Sequence, residues 1–283
     1  DGVNAADING DGAVNAADLA TLLNSWGAKG GAADIDGAFT GLSTLSISGA
    51  SNIGADITTS GTQTYAGAVT LSGGDRTLTA STVNTQSTLA GGNNALTITG
   101  AADIDGALSG LTALSITGAS NIGADITTTG TQTYAGAVTL SGGDRTLTGS
   151  TLTTQSTLDG GNHALTLTGN ADIGGAVTAL TTLSVSGTSN IGADITTSGA
   201  QTYAGAVTLS GGDRTLTAST FHTQSTVDGA GNGLTVTGAA DIDGVFSGIS
   251  NLSISGATNL GANITTTGTA ANKVDNNILP KGS

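Results

Sequence analysis

Along most of the chain, apolar and hydroxyl residues alternate, as in Leu114-Ser115-Ile116-Thr117, Val138-Thr139-Leu140 and Leu165-Thr166-Leu167-Thr168. A period of two places Leu, Ile and Val on one face and Thr or Ser on the other, which predicts short strands with one buried side. Gly-Gly, Gly-Asn and Ser-Gly bound the runs and supply the positive φ that sharp corners need. A helical period is read at one stretch, Leu19, Leu22, Leu23 and Trp26, spaced i, i+3, i+4 and i+7. It predicts a short helix with one apolar stripe, ended by Gly27.

The pattern also repeats. Asn52-Ile53-Gly54-Ala55-Asp56-Ile57-Thr58-Thr59 returns at Asn121, at Asn190 and, altered, at Asn259, always at the same step. A fixed period of this size, here a 69-residue one, means a repeat architecture. Within one unit, Ala102-Asp103-Ile104 is echoed by Ala124-Asp125-Ile126 and then, after an equal step, by Thr146-Leu147-Thr148. A slightly longer step leads to Ala171, where the next unit opens. The expectation is an all-β parallel β-helix, or β-solenoid, of about ten coils in 69-residue units of three coils. Phe39, Leu108, Val177 and Phe246 share one position of the unit, and Val83, Leu152 and Phe221 another, as inward ladders should. Three regions follow: residues 1–30 with the helix, the repetitive solenoid over 31–270, and a tail over 271–283.

Composition narrows the class. Forty-seven glycines, one proline and 2% aromatic residues exclude an ordinary globular core and suit a narrow one of small aliphatic side chains. Every acidic residue is Asp, and the net charge is −14, so nucleic acid and anionic membrane are poor partners and divalent cations are the natural counterions. No window approaches the ~20 apolar residues of a membrane span. Cysteine is absent, leaving neither disulfides nor thiolate metal sites.

Residues 7–18 read Asp-Ile-Asn-Gly-Asp-Gly-Ala-Val-Asn-Ala-Ala-Asp. They match a calcium loop with oxygen ligands at positions 1, 3, 5, 9 and 12 and Gly at position 6. With the Leu/Trp helix that follows, this segment resembles a type I dockerin repeat, and Asp1–Asp7 resembles the second half of a preceding loop. The resemblance implies calcium as the cofactor, with Asp7, Asn9, Asp11, Asn15 and Asp18 as side-chain ligands and Ala13 contributing its carbonyl, and a cohesin-like receptor as one partner. The loop and helix serve either as a cap over the first coil or as a docking surface. The repetitive part resembles the β-helical shafts of filamentous-haemagglutinin-like bacterial surface proteins. That implies secretion, an extracellular or cell-surface location, and an adhesive or structural role.

Other constellations are read against their neighbours. Asp34 and Asp56, Asp103 and Asp125, and Asp172 and Asp194 are each separated by the 22-residue echo, with Asp241 facing Asn263. Coils of that length bring these carboxylates to about 5 Å and form an acidic ladder, enlarged by Asp36, Asp105 and Asp243 on the same face and either hydrated or bridged by calcium. Asp75-Arg76, Asp144-Arg145 and Asp213-Arg214 read as exposed corner ion pairs, and Tyr65, Tyr134 and Tyr203 as core residues rather than a carbohydrate-stacking track. His163 and His222 occupy different positions of the unit, where other copies carry Asn or Thr, so no repeated site is expected from them. An enzyme is not expected, and Thr-x-Thr runs do not recur at one corner as an ice-binding array requires. The expected function is a secreted structural subunit joining head to tail as a homopolymer, its N-terminal calcium segment docking on a neighbour's C-terminal end. A monomeric adhesin or scaffold stalk attached to a cohesin-type receptor is the alternative.

Overall fold

In the computed structural model, residues 32–268 and the strands Lys273–Val274 and Ile278–Pro280 are described. The calcium loop from Asp7 to Asp18 and the Leu19–Trp26 stripe lie outside these residues. The chain divides into two compact units, Asp1–Gly130 and Thr131–Ser283. Each is a parallel β-solenoid, and together the described residues make about 12 coils, with no helix among them.

Local alternation sets the strands. In Ile57-Thr58-Thr59 the outer two residues are buried and the middle one exposed, and the same pattern holds at Val69–Leu71 and Ile126–Thr128. In the first unit, β1 (Ala33–Ile35), β2 (Phe39–Leu42) and β3 (Leu45–Ile47) form the three sides of the first described coil. Ala33, Ser51, Val69, Leu89 and Leu108 then stack in register along the first side. Phe39, Ile57, Leu78, Ile98 and Ile116 stack along the second. Leu45, Gln63, Val83, Ala102 and Ser120 stack along the third. The second unit repeats the plan, with Leu152, Ala171, Ser189, Val207, Val227 and Phe246 on one side. Lys273–Val274 and Ile278–Pro280 continue its ladders, pairing with Ser253–Ile254 and Thr258–Leu260.

The solenoid class is as expected, but the coil is shorter. Asp34 meets Asn52 across a coil of 18 residues, and Asp56 meets Thr77 across one of 21 residues. Both fall below the 22-residue echo, which is why there are about 12 coils and not ten. The true module is one side, about six residues long, as in Ala33, Phe39, Leu45, Ser51. From Ala33 to Ala102 the chain lays down eleven sides, so a 69-residue repeat spans three and two-thirds coils. Repeat position and side are therefore out of phase. Ala33 lies on the first side and Ala102 on the third. In the second unit, Ala171 shares its side with Phe246, whereas Ala240 stacks on Phe221 and Gln201 along another. Leu108, Val177, Phe246, Val83, Leu152 and Phe221 are buried, as expected, whereas Phe39 is only half-buried, and repeat-equivalent residues do not stack on one another.

Two backbone devices make the corners. Where Phe39–Leu42 meets Ile57–Thr59, one extra residue bulges out, and Gly41 takes a φ of 79°. Gly110 and Gly248 do the same at the equivalent positions, each at 64°. The remaining copy has Ala179, at 54°, where a Cβ meets the steric penalty of the left-handed region. At other corners successive coils nest so closely that a Cβ on Gly67 would lie 2.2 Å from the Gly49 carbonyl group. Ala179→Gly is expected to stabilise the fold by about 0.5–1 kcal/mol, the relief of strain exceeding glycine's extra unfolded-state entropy. A rise in the denaturant midpoint at unchanged slope checks it.

Candidate functional site

The recurrent carboxylates pin one coil to the next. Asp34 stands opposite Asn52, which donates its Nδ2–H to the Asp34 carboxylate at 2.7 Å. Asp103 with Asn121, Asp172 with Asn190 and Asp241 with Asn259 repeat this bond at the same distance. The partner of each carboxylate is thus an amide on the following coil. The expected stacking of Asp34 on Asp56, Asp103 on Asp125 and Asp172 on Asp194 does not occur, because the coil is shorter than the 22-residue echo implied. Asp241 likewise faces Asn259 and not Asn263. Asp56 and Asp194 instead accept the backbone N–H of Thr77 and Thr215, both at 2.9 Å.

The Asp-Arg pairs are also redistributed. Arg76 and Arg214 approach Asp56 and Asp194 of the preceding coil, at 3.9 Å, with their guanidinium stems largely covered. Asp75, Asp144 and Asp213 accept backbone N–H groups of Ala95, Ala164 and Gly233, at 2.8, 2.8 and 2.6 Å. A side chain bound to the main chain of another coil fixes register, which an exposed corner ion pair would not do.

Tyr65, Tyr134 and Tyr203 are buried, as core residues should be. Each donates its hydroxyl to a buried Gln two positions earlier: Gln63 and Gln132 at 2.9 Å, Gln201 at 3.2 Å. The Gln63 amide in turn donates to the carbonyls of Ile57 and Thr79, and Gln201 to those of Ile195 and Thr217. Gln63 and Gln201 so satisfy main-chain acceptors of two coils, and Gln132 donates to the Thr148 carbonyl in the same way. The rings are out of reach of any surface ligand, and burial pushes the three phenols far above the usual tyrosine range.

One cluster differs in kind. In the second unit, parallel register sets His222 directly opposite Asp241, and Asp243 occupies the corner beyond. His222 Nε2 lies 3.6 Å from Asp241 Oδ2 and 3.4 Å from Asp243 Oδ2, and ligand-capable atoms of all three lie within 4.8 Å of one another. All three side chains are partly covered, with exposures of 25%, 33% and 31%. A nitrogen and two carboxylate oxygens converging in this way form a site for a proton or a cation. The sequence groups Asp241 with Asp243 but not with His222: the unit is not the coil, so the register that sets His222 opposite Asp241 is not visible in it.

No protein-family model, curated protein or solved structure matches this chain.

The tyrosines give a pH test. Their folded pKa values lie above the unfolded value of about 10, so the folded chain holds the phenolic protons more tightly and their contribution is complete below that pH. It is lost as the pH rises beyond about 10, at up to roughly 1.4 kcal/mol per tyrosine per pH unit. Phenolate absorbance is expected to appear together with loss of β-structure in circular dichroism, not before it.

Proposed function

We propose that the protein is a secreted, non-catalytic structural subunit that joins copies of itself end to end into an extracellular filament or surface fibre stabilised by calcium. The observation that carries this reading is the parallel main-chain pairing that joins each described coil to the next. Among the described residues, β1, β2 and β3 pair on one side only. The N–H groups of Ala33, Phe39 and Leu45 donate to the following coil. Those of Asp34, Thr40 and Ser46 consequently point the other way, so that a strand set against this face is held by the same main-chain pairing that joins the coils. The flanks are poor glue by comparison, since Val245 is the one large apolar side chain exposed among the described residues. Head-to-tail addition is a heterologous contact, which propagates unless the rotation closes a ring.

The dockerin-like loop at Asp7–Asp18 supplies the calcium dependence in this reading, and its Leu/Trp stripe the apolar contact. The likeness to filamentous-haemagglutinin shafts supports a bacterial cell-surface location. The same loop supports a second reading, a monomeric stalk attached to a cohesin-like receptor.

Negative-stain microscopy and sedimentation in millimolar calcium, beside a chelated sample, separate the two. Filaments that disperse on chelation are expected; single particles under both conditions favour the receptor-bound stalk. Ser46→Pro removes one donor that faces away from the following coil, and is expected to suppress polymers while circular dichroism stays unchanged. Undiminished polymerisation of that variant would refute assembly through this face.

A further inference from the structure

We propose that His222, Asp241 and Asp243 bind a divalent transition ion of the zinc class, held tetrahedrally with its fourth position open to water. This goes beyond the structural role and does not depend on it.

The distances carry the argument. A charge-assisted N–H···O hydrogen bond has a length of about 2.7–2.9 Å, and His222 meets neither carboxylate so closely: its Nε2 stands 3.6 Å from one and 3.4 Å from the other. One ring N–H also cannot point at two carboxylates at once. Ligands bound at about 2.0–2.1 Å around a tetrahedral ion are separated by about 3.3–3.4 Å, close to both observed separations. His222 Nε2 thus stands from each carboxylate oxygen at a separation that one ion can bridge, with the His222–Asp243 pair at the long end of hydrogen-bond distance.

Donor chemistry selects the ion. An imidazole nitrogen with two carboxylates suits zinc or cobalt, whereas calcium takes six to eight oxygen ligands. The surroundings preset the geometry. Asn259 donates to Asp241 Oδ1 at 2.7 Å, which orients the carboxylate and leaves Oδ2 for the ion. The backbone N–H of Asp243 donates to the Thr223 carbonyl at 2.9 Å, fixing the corner that carries the third ligand. His222 and Asp241 are held by the parallel ladder itself.

The other copies provide built-in controls. At the position of His222 they carry Asn84 and Thr153, and Gly174 replaces Asp243 in the copy with Thr153. Asn84 stands opposite Asp103 as His222 stands opposite Asp241, with Asp105 beyond. Its Oδ1 is buried and has no hydrogen-bond partner, so a donor atom already occupies the matching place.

The test uses cobalt(II) as a spectroscopic stand-in for zinc, added to the full chain in saturating calcium. We expect one equivalent to give the intense visible absorption of tetrahedral cobalt, bleached by zinc. His222→Asn, which installs the residue found at position 84, should lower cobalt affinity by about 100-fold or more, and Asn259→Ala by about tenfold, with circular dichroism unchanged in both. Asn84→His should create a second equivalent beside Asp103 and Asp105. Cobalt or zinc binding that is unaltered by His222→Asn, or a weak octahedral spectrum alone, would overturn the assignment. A folded Asn84→His chain that gains no second ion would overturn the claim that these three positions suffice.

Discussion

Main-chain hydrogen bonds between successive coils, in parallel register, are the constraint on which the other features of this structure depend. With strands about 4.8 Å apart, each residue's neighbours above and below are fixed by coil length and not by sequence proximity. The buried ladders follow, because an inward Ile or Val can cover only what the register places over it. The polar pins follow too: Asn52 reaches Asp34, and Asp75 reaches the Ala95 amide, because one coil brings each pair together. A core made almost wholly of small aliphatic side chains has little room for error in such stacking. The few large groups inside are each secured, Tyr65 by Gln63 and Tyr203 against Phe221 at a ring distance of 5.6 Å.

Fold class was legible in the sequence because it rests on local physics. Alternation at Val138-Thr139-Leu140 and glycine at the corners predict strands and bends whatever the wider arrangement. Coil length was not legible, because the strongest signal, the 69-residue period, is not a whole number of coils. The echo from Ala102 to Ala124 compares residues on different sides of the solenoid, since Ala102 stacks on Val83 whereas Ala124 precedes the side begun by Ile126. Every inference that assumed this echo to be one coil, above all the stacked carboxylates, failed with it. Inferences about single residues, such as the buried tyrosines, did not need it and survived.

The His222 cluster illustrates the same point. His222 and Asp243 are 21 residues apart, a spacing without meaning until the coil is measured, and then one that places them on adjacent turns. A regular lattice gives any outward position a defined pair of neighbours. One or two substitutions can therefore build a local constellation without disturbing the wall behind it. The histidine itself costs the fold little, because Asn and Thr fill the same place elsewhere in the chain.

The mismatch between repeat and coil carries a consequence for how such a chain can evolve. Because a unit ends two-thirds of the way round a coil, duplicating or deleting one by recombination advances the motifs that follow to another face instead of extending the same stripe. Within one compact unit a motif carried once per repeat therefore moves from side to side, as Ala33 and Ala102 do, instead of lining up as a stripe.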